Sequence, residues 1–126
     1  KGVVNMPLTG VQILCICEEL QVRNHLKSIL LSGGAELTFC ADRSRALSLL
    51  VRHPDHFAAI LTDLPAQSHD ASIYLHQIRQ AAPDISLVVV GAYRDFESSF
   101  PLGTEITARA GFPLSLPYLL HCLQIS

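Results

Sequence analysis

The sequence predicts an α/β fold, a doubly wound sheet of five parallel strands with helices on both faces. Three observations predict it. Apolar, β-prone runs alternate with helical patterns along the whole chain, and two of these runs are apolar almost throughout, as in strands covered on both faces. Gly, Pro and Asp residues stand at the boundaries between the runs. Such an alternating order predicts one domain with right-handed crossovers.

Five short segments rich in apolar and β-branched residues are predicted as strands, and they cover residues 11–17, 37–40, 57–62, 85–90 and 105–109. The segment 93–103 is polar and offers at most a short helix. The intervals between the other strands carry apolar stripes at helical spacing. Their members are Val22, Leu26, Ile29 and Leu30; Leu47, Leu50 and Val51; Ala71, Leu75, Ile78 and Ala82; and Leu116, Leu119, Leu120 and Leu123.

Helix ends are marked by residues that suit them. Gly33-Gly34 should end the first helix, and Asp42 and Asp70 should cap the second and third. Ser115 should cap the last helix, with Pro117 in its first turn.

Composition excludes several classes of protein. The chain has 126 residues, of which 49% are hydrophobic, and a net charge of −2, so it is neither disordered nor a basic nucleic-acid binder. No apolar run is long enough to span a membrane, and no signal peptide is recognisable. The four cysteines show no CxxC spacing, so we expect all of them, Cys15 and Cys17 included, to be reduced thiols in the core. We also expect a cytoplasmic location.

A functional site is expected at the carboxyl ends of the strands, where doubly wound sheets bind their ligands. Glu18 and Glu19 follow the first strand, and Asp63 ends the third. A carboxylate at a strand end with a second acid opposite it is the minimal arrangement for a hard divalent cation. Equally, such acids are often solvated, and Glu18 and Glu19 could simply face the dipole of the first helix.

Three motifs resemble the receiver domains of two-component response regulators: ILCICEE at 13–19, AAILTDLP at 58–65 and FPLSLPYLL at 112–120. The resemblance covers essentially residues 11–125. It implies a flavodoxin-like (CheY-like) sheet with the strand order 2-1-3-4-5. It also matches Asp63 to the phospho-accepting aspartate and Glu18 to the second acid of the metal-binding pair.

Departures from the family pattern are as informative as the matches. Cys17 stands where the first acid of the pair is expected, Gly91 where a Ser or Thr is expected, and Phe112 where a Lys is expected. The predicted fifth strand has no counterpart of the family's switch aromatic. Since each of these groups supports phosphoryl transfer, the sequence predicts a degenerate receiver in which Asp63 is a remnant or an acceptor for loop N–H groups.

Two alternatives remain open. The domain could be a working receiver that accepts a phosphoryl group on Asp63, with Mg²⁺ held by Glu18 and Asp63 and with Arg94 or Arg109 in place of the missing lysine. Mg²⁺ is expected only in that case, and otherwise no cofactor. A flavodoxin-like binder of a small ligand at the same strand ends is the other alternative. No nucleophile elbow, Walker loop or GxGxxG sequence indicates an independent enzyme.

The last helix points to a protein partner. Residues 110–126 contain no Asp, Glu, Lys or Arg, although an exposed helix ordinarily has a charged outer face. We therefore expect docking through this region, by a histidine kinase, a phosphotransfer domain or a second copy, with no nucleic acid and no membrane contact by this domain. The candidate contact residues are Tyr93, Phe96, Phe100, Tyr118, Cys122 and Ile125.

The first ten residues are predicted as a linker or the tail of a preceding domain, and residues 11–126 as the receiver-like domain. Because the sequence begins at Lys1, we expect a piece of a longer polypeptide. The stretch VVNMPL at 3–8 resembles the final strand of a histidine-kinase ATP-binding domain. This favours a hybrid histidine kinase as the parent chain, with this domain in the cytoplasmic part of a membrane sensor.

Overall fold

A computed structural model describes residues 7–63, 68–91, 108–111 and 114–123. Five parallel strands form one sheet in the order β2-β1-β3-β4-β5, as predicted. The strands are β1 (Gln12–Ile16), β2 (Glu36–Cys40), β3 (Ala59–Thr62), β4 (Ser86–Gly91) and β5 (Ala108–Gly111). The register places Ile13 opposite Leu37 on one side and opposite Ala59 on the other, so β1 is an interior strand between β2 and β3.

Helices cover both faces of the sheet. They are α1 (Leu20–Ser32), α2 (Arg43–Arg52), α3 (Ser68–Ala81) and α4 (Leu116–Leu123). Side chains alternate across β1, so Ile13 and Cys15 pack in a cluster with α1 and α4, whereas Leu14 and Ile16 pack in a second cluster with α2 and α3. This double coverage explains why the strands read as continuous apolar runs.

Most predicted helix ends are confirmed. The Asp42 side chain accepts a hydrogen bond of 2.9 Å from the backbone N–H of Ser44, and the Tyr118 N–H donates to Ser115 Oγ at 3.3 Å. Gly33 ends α1, and Gly34 follows with φ of 89°, a conformation that favours glycine. The prediction for Asp70 is wrong, because α3 begins at Ser68 and Asp70 lies inside it.

The stripe residues whose burial the structure describes, a set that leaves out Ala71, pack as predicted except for Val51. Leu26, Leu50, Leu75 and Leu119 are fully buried. Val51 is 68% exposed, because α2 has turned this residue away from the sheet before it ends at Arg52.

The fifth strand differs from its predicted position. The described strand ends at Gly111, two residues beyond the predicted end, and residues 105–107 lie outside the described part of the chain. Ala108 and Ala110 pair with Val88 and Val90 of β4. Among the helices that the structure describes, none combines the length and apolar character needed to cross a bilayer.

Residues 7–10 pack onto the fold ahead of β1. Leu8 is fully buried, and its N–H donates to the carbonyl of Gly33 at 2.7 Å. A Cβ added at Gly33 would lie 3.1 Å from a methyl group of Leu8 and 3.1 Å from one of Leu116. The predicted linker therefore has an ordered end at the junction of α1 and α4.

Candidate functional site

The two predicted acids lie together at the carboxyl edge of the sheet. Asp63 directly follows β3, and its N–H donates to the Ile16 carbonyl at the end of β1 at 3.1 Å. The backbone N–H of Glu18 donates to Asp63 Oδ2 at 3.0 Å. Adjacent parallel strands thus bring residues that are 45 positions apart in sequence into direct contact.

An arginine that the sequence analysis did not single out joins both acids. Arg43 Nη2 lies 2.9 Å from Asp63 Oδ1, and Arg43 Nη1 lies 3.0 Å from Glu18 Oε1. The side chains of Arg43 and Asp63 are 20% and 19% exposed, whereas that of Glu18 is 64% exposed. The pair with Asp63 is consequently the better shielded from solvent and salt.

Two neighbouring elements position Arg43. It is the first residue of α2, which begins close to the carboxyl edge because β2 pairs with β1. Its guanidinium carbon lies 5.2 Å from the ring centroid of Tyr74 on α3, within the range of a cation–π interaction. The Tyr74 hydroxyl is 2.6 Å from Thr62 Oγ1, so the buried ring is tied to the strand that carries Asp63.

The protonation of this cluster reflects burial and charge in opposition. Burial raises the pKa of Asp63, although the Glu18 N–H and the Arg43 charge act in the other direction. Burial acts to lower the pKa of Arg43, but the carboxylates of Asp63 and Glu18 outweigh it and raise that pKa above its ordinary value. Arg43 is therefore a permanent cation at this edge.

Cys17, which replaces the first acid of the family pattern, faces the apolar interior. It is 1% exposed and belongs to the cluster beneath α1 and α4. Burial raises the pKa of its thiol to about 12, so the sulfur is protonated and uncharged near neutral pH. Cys15 lies in the same cluster, and all four cysteines are buried and form no disulfide.

The predicted contact residues are only partly described. Tyr93, Phe96, Phe100 and Ile125 lie outside the described residues, as do Arg94 and the side chain of Arg109. Tyr118 is half-buried against the core. Cys122 is 5% exposed and belongs to the core of this chain, because it faces the sheet one turn after Tyr118. Within the isolated chain Cys122 offers no exposed surface, and the docking surface itself stays a prediction.

Comparison with known proteins gives a structural answer. No protein-family model matches the chain, and no curated protein matches its sequence. A response regulator receiver domain protein from Clostridium thermocellum superposes with a TM-score of 0.74 at 15% identity, covering 90% of this chain and 91% of that chain. The chain has the receiver-domain fold.

Two further receiver structures agree. A CheY-like receiver domain protein from Methanospirillum hungatei gives a TM-score of 0.72 at 21% identity, covering 90% of each chain. The receiver domain of the hybrid histidine kinase CckA gives 0.67 at 18% identity, covering 90% of this chain and 95% of that chain. The fold implied by the three sequence motifs is thereby confirmed.

The donor set at the carboxyl edge does not fit Mg²⁺, the ion that the receiver resemblance implies. Both carboxylates already pair with the Arg43 guanidinium, and the second oxygen of Asp63 accepts from the Glu18 N–H. Cys17 contributes a protonated, soft sulfur where a hard cation prefers oxygen. Within the described ranges, no group of three or more His, Cys, Asp or Glu side chains could hold a metal ion.

Proposed function

We propose that this chain is a degenerate receiver domain, a regulatory module of two-component signalling that acts through protein contact instead of metal-dependent phosphorylation. The observation that carries the proposal is the Arg43 guanidinium between Asp63 and Glu18, at 2.9 Å and 3.0 Å. A side-chain cation thus occupies the place at which a working receiver would assemble its metal and its phosphoryl group.

Phosphoryl transfer to Asp63 would need a carboxylate oxygen free to attack and fixed positive charge around the incoming group. Both oxygens of Asp63 are engaged, one by Arg43 and one by the Glu18 N–H. Gly91, the last residue of β4, has no hydroxyl to offer. Loss of one preorganised donor commonly lowers a rate by about 10²–10³, so several losses support a domain that is not phosphorylated efficiently.

Protein docking through the last helix is the second part of the proposal. Leu116, Tyr118 and Leu120 of α4 are half-buried, and none of the residues 114–123 is Asp, Glu, Lys or Arg. A partner that packs on α4 would cover no charged side chain of the helix, so its cost in desolvation would be small. The partner class that we propose is a histidine kinase, a phosphotransfer domain or a second copy of this chain.

The fold relative CckA is a hybrid histidine kinase, which supports a parent chain of the same kind for this domain. The proposal places the domain in the cytoplasm, and the four buried cysteines, none of which forms a disulfide, agree with a reducing compartment.

A working receiver that accepts a phosphoryl group on Asp63 is the competing function, and one experiment separates the two. The wild-type chain is incubated with Mg²⁺ and acetyl phosphate and its intact mass is followed, beside Asp63→Asn. We expect no phosphoryl adduct on either protein. An adduct on the wild-type chain that is absent from Asp63→Asn would overturn the degenerate assignment.

Docking is tested separately with Tyr118→Glu, which places a charge on the side of α4 that carries Tyr118. Gln77→Glu is the matched control, because Gln77 is exposed on α3, on the opposite face of the sheet. Each protein is sedimented alone and with the kinase core of the proposed parent chain. We expect weaker association for Tyr118→Glu only. Equal association of both variants, with circular dichroism confirming their folds, would contradict docking through α4.

A further inference from the structure

We infer that Arg43 is an internal counter-ion that takes the bridging place of a divalent cation between Glu18 and Asp63, and that its charge opposes the binding of divalent cations at the carboxyl edge. This inference rests on the proposed function, because it concerns the same site. It adds that Arg43, a residue outside the three receiver-like motifs, opposes metal binding there.

The geometry of the guanidinium is the first argument. Its two terminal nitrogens reach one oxygen of each carboxylate, which is the bridging task that a metal ion performs between two acids. A guanidinium is planar and always charged, so it performs this task at every physiological pH. A divalent cation that bridged the two acids in the same way would have to displace both ion pairs.

Its immobilisation is the second argument. The Tyr74 ring lies 5.2 Å from the guanidinium carbon, and the Tyr74 hydroxyl is held by Thr62. Arg43 Nε is buried with no hydrogen-bond partner in the described part of the chain, which is a cost that the two ion pairs must offset. The guanidinium is thus held by the acids and the ring together.

Charge balance is the third argument. Without the Arg43 charge, Glu18 and Asp63 would be two carboxylates on neighbouring strand ends, and among the described residues no other cation pairs with either of them. Arg23 donates to the Cys17 carbonyl at 3.3 Å instead. Two carboxylates that lack a counter-ion attract a divalent cation, although weakly, because Cys17 supplies no third oxygen.

Arg43→Gln tests the inference directly, since it removes the charge and keeps a polar side chain. Tb³⁺ is the probe, because a nearby tyrosine such as Tyr74 sensitises its luminescence, and Mg²⁺ then competes for the site. Arg45→Gln is the matched control, with the same charge change at an exposed position of α2. We expect Tb³⁺ to bind Arg43→Gln about tenfold or more tightly than the wild type, and Arg45→Gln to bind as the wild type does.

The double variant Arg43→Gln/Asp63→Asn should lose the gained binding, which locates the ion at these acids. Thermal unfolding of Arg43→Gln with and without Mg²⁺ provides a second readout, and we expect Mg²⁺ to raise its midpoint but not that of the wild type. Wild-type binding as tight as that of Arg43→Gln overturns the inference. So does a folded Arg43→Gln chain that neither binds Mg²⁺ nor is stabilised by it.

Failure of this inference can be told apart from failure of the proposed function. A wild-type chain that binds Mg²⁺ yet forms no phosphoryl adduct contradicts the role of Arg43 and leaves the proposed function standing. An Asp63-dependent adduct on the wild-type chain contradicts the proposed function, whatever the variants bind.

Discussion

Asp63 is a partly buried acid whose two oxygens both accept hydrogen bonds, yet its pKa is raised, because desolvation outweighs the attraction of its partners. The folded state favours the protonated form of Asp63, and this stabilises the fold fully below the pKa of Asp63 in the unfolded chain, near 3.8. That contribution is lost as the pH rises through the higher pKa of the folded state. Asn at this position is neutral at every pH and shows no such loss.

We therefore predict that the stability of the wild-type chain relative to Asp63→Asn falls as the pH rises from about 3 to about 7. Denaturant unfolding of both proteins at a series of pH values measures the difference, and groups that titrate alike in both cancel. A wild-type chain that gains on the variant with rising pH would show instead that Arg43 holds the pKa of Asp63 below its ordinary value.

Tyr74 contacts the site through two groups: its ring lies beside Arg43, and its hydroxyl contacts Thr62. Tyr74→Phe removes the 2.6 Å contact with Thr62 Oγ1 but keeps the ring beside Arg43. Thr62 retains the Ile16 and Asp63 carbonyls as acceptors, so we predict a loss of about 1 kcal/mol in the free energy of unfolding. Tyr74→Leu, which also removes the ring, should cost more. Denaturant unfolding of both variants tests this, and equal losses would mean that the ring contributes nothing through Arg43.

The sequence predicts Glu18 and Asp63 but not Arg43, for a physical reason. Strand-end acids are located by the apolar runs that precede them, because the backbone direction fixes where they emerge. Arg43 emerges from the first turn of a helix, and a long, flexible side chain at that position can reach several neighbours. The available signal was positional: Arg43 lies three residues after β2, which pairs with β1 at the same edge.

At the scale of elements, α2 is the one whose start matters to the site. Asp42 caps it through the Ser44 N–H at 2.9 Å, and Arg43 follows directly. We predict that Asp42→Ala lowers the free energy of unfolding by about 1 kcal/mol, because an orphaned N–H loses its acceptor. Asp55→Ala, in the exposed turn after α2, is the control and should cost little. Equal losses in a denaturant titration would argue against the cap.

The elements that local sequence predicts poorly are those whose structure depends on contacts with neighbouring elements. The β5 sequence ARAG carries no β-branched residue, so its strand conformation depends on pairing with β4 and not on local propensity. Val51 continues the helical spacing of its stripe but lies on the side of α2 that faces away from the sheet, although its neighbour Leu50 is fully buried. Periodicity reports which face is apolar, whereas the width over which that face is covered depends on the neighbouring elements.

On the scale of the whole molecule, the sheet separates two apolar clusters. The cluster beneath α1 and α4 includes Ile13, and the cluster beneath α2 and α3 includes Ile78. Both side chains are fully buried. Substitutions in different clusters share no partner, so their effects on stability should add.

We predict that Ile13→Val and Ile78→Val each lower the free energy of unfolding by about 1 kcal/mol, and that the double variant loses their sum to within about 0.5 kcal/mol. Ile73→Val is the control, because Ile73 lies on α3 with Ile78 but is 59% exposed, and its loss should be much smaller. Denaturant unfolding of the wild type and the four variants supplies the comparison. A double variant that departs strongly from the sum would mean that the two clusters are coupled through β1 and β3. In that case a change in packing on the α4 face would reach α2, the helix that begins with Arg43, on the opposite face.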